Sequence, residues 1–153
     1  MGSDWKKELA GFFEAYGIIE TSKKETIEDF DQFCEFIAEP AFENLSAALK
    51  HYGISSKCQT VKGKSISFRI NFPGSRIDNF LYTIYLPKNS IELRLTTRLS
   101  GRKNKRSIME EKSLPFMDNI KPAGVLKLKK EDIIFHAIQH YRDFVLEALT
   151  SSD

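Results

Sequence analysis

Along the first 52 positions the apolar residues recur every three or four places, and from position 54 they begin to alternate with polar ones. The first spacing is that of a helix with one buried stripe, the second that of strands with one buried face. Trp5, Leu9, Phe12, Phe13 and Tyr16 share one side of a helix predicted over residues 4 to 16, with Ser3 or Asp4 to cap it and Gly17 to end it. A second helix is expected to open at a capping box, Ser22 to Glu25, and to run through Ile27, Phe30, Cys34, Ile37, Ala41, Leu45, Ala48 and Tyr52. Pro40 lies in its middle and has no N–H to give the helical ladder, so a kink or break is expected near Glu39, with Gly53 closing the end.

In SISFRINF, positions 65 to 72, Ile66, Phe68, Ile70 and Phe72 alternate with Ser65, Ser67, Arg69 and Asn71. Residues 79 to 87 and 91 to 99 repeat the pattern, the first around Phe80, Tyr82, Ile84 and Leu86, the second around Ile91, Leu93, Leu95, Thr97 and Leu99. Short connections rich in Gly, Pro, Asn, Lys and Ser join these runs, which predicts an antiparallel meander with one face in the core and one in water. Residues 106 to 114 add a candidate last strand, residues 115 to 127 read as irregular, and a closing amphipathic helix is expected from about Lys129 to Leu149. The fold class is therefore α+β in one domain: N-terminal helices, a meander of four or five strands and a C-terminal helix, with the helices on one face of the sheet.

Composition supports a packed core. The chain has 153 residues, enough for one domain that buries roughly 70 % of its unfolded surface, and 12 of them are Phe. No run reaches the 18 apolar residues of a membrane span, and MGSDWKKELAGFF lacks the apolar segment of a signal peptide. Cys34 falls on a helical stripe and Cys58 in a strand, outside any short ligand spacing, so both are expected to be reduced thiols in a cytoplasmic protein.

Charge changes the picture more. Residues 1 to 52 carry a net charge of −6, residues 53 to 106 one of +10 and residues 107 to 153 one of −2, within a chain of net +2. Strand alternation sends Arg69, Arg94 and Arg98 to the face opposite the phenylalanines, together with Tyr85. The loop that follows adds Arg102, Lys103, Lys105 and Arg106 at one end of that face. Arginines and a tyrosine on an open sheet suit phosphate contact and base stacking. The same residues also suit an acidic protein surface, including the N-terminal helices of a second copy. The Phe-rich inner face could in principle line a ligand pocket, although an aromatic core is the commoner use of such residues.

Candidate catalytic chemistry is sparse. Glycine-rich phosphate loops and the GxSxG nucleophile motif do not occur. HAIQH places His136 and His140 four residues apart, a spacing that with Asp143 or Glu147 could chelate a metal. Helical projection puts His136 with Asp132, Gln139, Asp143 and Glu147 and His140 at the edge of that group, which favours a solvated face over a metal site. We therefore expect no cofactor, and a small binding protein that engages a protein partner or itself. Nucleic-acid binding by the basic face is the alternative, and a metal-dependent enzyme ranks behind both.

Overall fold

The computed structural model describes residues 4–72, 78–102, 109–118 and 120–150, without the side chains of 78 and 79. Helix α1 (Asp4–Phe33) passes through a π-helical turn (Cys34–Ala38) into α2 (Glu39–Lys50). Strands β1 (Ser56–Val61), β2 (Ser65–Ile70), β3 (Asp78–Tyr85), β4 (Thr96–Arg102) and β5 (Glu110–Pro115) follow, then a 3₁₀ turn (Pro122–Lys127) and α3 (Lys130–Leu149). The strands form one sheet in the order β1-β2-β3-β4-β5, every neighbour antiparallel. The α+β meander expected from the alternation is the observed architecture.

The helices cover one face. Ile66, Ile84 and Thr97 stand in one cross-strand row, Phe68, Tyr82 and Leu99 in the next, and all but the half-buried Leu99 are fully enclosed. Phe42 of α2 stacks on Phe68 with ring centroids 4.7 Å apart and meets Tyr82 edge-on at 6.0 Å. Phe80 packs on Phe144 and Tyr141 of α3 at 5.1 and 5.5 Å. Gly101 lies under that contact, where a Cβ would come within 2.8 Å of the Phe144 ring. The phenylalanines of the inner face are thus spent on a close-packed core. At the β1 edge polar contacts take over: Ser56 Oγ donates to Ser46 Oγ at 2.8 Å and Thr60 Oγ1 to Glu39 Oε1 at 2.9 Å.

Three boundaries differ from expectation. Gly17 does not end a helix, and Ser22 and Glu25 lie within α1 and not at a start. The reason is phase: Trp5, Leu9, Phe12, Tyr16 and Ile19 continue at helical spacing into Thr26, Phe30 and Phe33, so one stripe runs through, and a Gly costs a helix interior only about 1 kcal/mol. Near Pro40 the chain widens to π-helical geometry, with the Glu39 N–H bonded to the Cys34 carbonyl, a register that accommodates a residue unable to donate. At the far end Gly53 takes φ 73° and the Ile54 N–H reaches back to the Leu49 carbonyl at 3.1 Å, the left-handed closure expected there. Finally, β4 begins at Thr96, not Ile91: Leu93 and Leu95 are buried as predicted, but the chain turns locally, with the Arg94 N–H bonded to the Glu92 carbonyl at 2.8 Å.

Candidate functional site

A continuous exposed apolar surface lies where the helical spacing predicts a buried stripe. Residues 4 to 21 of α1 are exposed without exception, about 27 Å of helix beyond the sheet at 1.5 Å per residue. Burial begins at Thr26, Phe30 and Phe33, on the same stripe. The helix therefore continues past the body it packs on, as an arm. Trp5, Phe12, Phe13 and Tyr16 expose 59, 59, 60 and 54 % of their surface, and Leu9 and Ile19 accompany them. Phe12 lies 5.2 Å from Phe13 and 6.5 Å from Tyr16, the Lys6 ammonium lies 5.4 Å from the Trp5 ring, and among the described residues no ring outside the arm meets them. A second apolar stripe lies on the outer side of α3, where Phe135, Ile138, Leu146 and Leu149 are exposed.

The open sheet face is hydroxyl-rich and less cationic than its sequence suggests. One row across it reads Gln59, Ser67, Thr83, Arg98, Ser113, with Ser67 and Thr83 hydroxyls bonded at 3.0 Å. Arg98 lies over the Tyr85 ring at 4.8 Å and pairs with Glu111 at 3.3 Å. Arg94 falls outside β4, in the preceding turn, and pairs with Glu92 at 2.7 Å. Arg102 ends β4, and its buried Nε has no hydrogen-bond partner among the described residues. Lys103, Lys105 and Arg106 lie outside the described residues. Arg69 stands on β2 directly opposite Lys57 of β1, and among the described residues no carboxylate pairs with either. A groove of about 640 Å³ opens at the Tyr85 end of the face, lined by Lys23, Lys64, Lys88 and Arg98 among others. The structure thus keeps Arg69, Tyr85 and Arg98 on one face and separates Arg94 from them.

The histidines are not on a wet face. Ile133, Ala137 and Val145 are the buried positions of α3, and His136 and His140 flank them on the sheet side. Tyr82 Oη lies 2.5 Å from His136 Nδ1, and His136 Nε2 lies 3.3 Å from His140 Nε2. The apolar face projected from the sequence is one step around from the observed one, because it counts Ile138 as inward whereas the packing leaves Ile138 exposed. Burial, then the neighbouring His140 ring, push His136 down to about 4, against the opposing pull of Asp118. Burial also lowers His140, opposed by Asp143 and aided by Lys112. Complete burial raises the Tyr82 phenol far above its ordinary value. Both imidazoles are therefore neutral at pH 7, and the three side chains form a short polar relay inside the helix–sheet contact. Among the described residues no group of three or more His, Cys, Asp and Glu is arranged to hold a metal ion.

Cys34 is buried and its thiol is pushed up to about 12, first by burial and then by Asp31 and Glu39, which makes it a packing residue. Among the described residues no helix is long and apolar enough to cross a membrane. No known protein family, curated protein or solved structure matches the chain.

Proposed function

We propose that this chain acts by binding another protein, with the helical arm of α1 as its contact surface. One observation carries the reading: four aromatic and two aliphatic side chains stay in phase along an exposed helix that leaves its own core behind. Contiguous apolar patches of this kind mark interaction sites on soluble domains, and aromatic residues dominate the energetics of such contacts. An isolated helix of this length is marginal in water, so a partner that covers its stripe also stabilises it. The basic sheet face takes a secondary role in this reading, since Arg94 and Arg98 already hold carboxylates.

The test is capture from a cell lysate by the immobilised full chain, compared with a Trp5→Ala, Phe13→Ala variant. A defined protein retained by the parent and lost by the variant is the expected result. Identical retention by both would refute the assignment of the arm.

A second reading, nucleic-acid binding, draws on a different observation. Lys57 and Arg69 face each other across β1 and β2, a like-charged pair that is unfavourable unless an anion lies near. The cationic groove beside Tyr85 adds to it. Phosphates along the open face would meet both features.

A further inference from the structure

We infer that the arm's partner is a second copy of this chain, whose α3 receives the arm on its outer stripe in a reciprocal, two-fold pair; this rests on the protein-binding reading of the arm. The two stripes match in spacing. Arm positions 5, 9, 12, 16 and 19 step by four, three, four and three, and α3 positions 135, 138, 142, 146 and 149 step by three, four, four and three. Such spacings are those of helix pairs in continuous contact. Each stripe runs over 15 residues, a rise of about 21 Å.

Reach calls for a second copy. The arm leaves the body at the sheet end formed by Lys64 and Leu86, where Lys23 and Ile27 border the same groove. The later half of α3 lies at the other end, where the Tyr141 hydroxyl donates to the Asn71 carbonyl and Phe144 covers Gly101. The arm is one uninterrupted helix with the buried Phe30 and Phe33, so it cannot fold back onto its own α3. A second copy supplies what the first cannot reach. Because the turn that leads into α3 meets α1 at Ser22 and Thr26, where the arm leaves the body, an arm arriving from an antiparallel copy lies along α3, and the arm of the first copy lies along the α3 of the second. The contact closes as a dimer and leaves no stripe over.

The apolar area is that of a stable pair. Four rings of about 150–250 Å² each, rather more than half exposed, present on the order of 400 Å² per arm. With Leu9, Ile19 and the α3 stripe, and counted twice for the two-fold, the apolar surface available to be covered is roughly 1,600 Å². Stable interfaces bury about 1,200–2,000 Å². Charge agrees: Arg142 sits in the middle of the α3 stripe, held among the described residues only by a 3.4 Å contact with its neighbour Asp143, and Glu8 lies on the flank of the arm stripe beside Phe12.

Sedimentation equilibrium of the full chain tests this. The parent should sediment at twice its 17.6 kDa at concentrations of about 10–100 µM. Leu9→Glu with Phe13→Glu, and separately Phe135→Glu with Leu146→Glu, should each weaken the dimer by about 100-fold or more. Both pairs are exposed in the single chain, so circular dichroism and melting of the monomer should stay close to the parent. Arg142→Glu should weaken the dimer and Glu8→Arg should restore it in the same chain. A parent that is monomeric at about 100 µM overturns the inference. So does an α3 variant that dimerises as the parent does, because the arms then meet some other surface. If the parent is monomeric yet the arm variant loses a captured protein, self-pairing falls and the protein-binding reading stands. If the arm variants alter neither, both fall.

Discussion

Replacing His136 by Gln should flatten the acid side of the stability profile. In the folded chain His136 titrates near 4, against 6.5 when unperturbed, so between these values the unfolded chain binds a proton that the folded chain refuses. Stability contributed by the neutral ring is complete above the unfolded value and is lost as the pH falls from 6.5 toward 4. One proton over that span corresponds to about 3 kcal/mol if the ring were wholly shielded; His136 is only half-buried, so solvent screening reduces this to roughly 1–2 kcal/mol. His140 is lowered too and acts with the same sign. Gln keeps a polar atom for the Tyr82 hydroxyl, 2.5 Å from Nδ1 in the parent, but carries no titrating group. The assay is urea unfolding at about pH 7.5 and about pH 5, because the difference between the two isolates the imidazole from carboxylates that titrate lower. The parent should lose about 1 kcal/mol more than the variant over this interval. Parallel losses in both proteins would mean that His136 is as solvated as its position in the sequence suggested, and would refute the relay.

Phe68→Ala should cost about 3–5 kcal/mol, since the ring is fully buried and stacked on Phe42 at 4.7 Å, and the loss would appear in the urea midpoint with an unchanged slope. Mixed-sequence single-stranded oligonucleotide should bind more weakly than about 10⁻⁴ M at physiological salt. A tighter complex, whose salt slope falls by about 1.4 on Lys57→Ala with Arg69→Ala, would instead establish nucleic acid as the ligand.

Much of the fold is legible in the residue pattern because periodicity is a local property. The switch from helical spacing to alternation at position 54 locates the sheet, and the parity of Ile66, Phe68 and Ile70 decides which face is buried. Gly53 closes α2 as expected because a left-handed residue is a local demand. What a local pattern does not contain is where another element stops. The stripe of α1 is the same from Trp5 to Phe33, but the sheet and the 3₁₀ turn lie under only its last third, so identical residue types become core at Phe30 and surface at Phe12. The same holds on α3. Its composition offers apolar residues on two sides, and only the packing against Tyr82 and Phe80 selects the side that bears His136 and His140, leaving Phe135 and Leu146 outside. Charge is the third case: the sequence counts Arg98 as a free cation, whereas the pairing of β4 with β5 sets Glu111 beside it, and only Arg94 finds its carboxylate, Glu92, among its neighbours in the chain. Secondary structure and sidedness follow from neighbours in the chain, while exposure, pairing and pKa follow from neighbours in space.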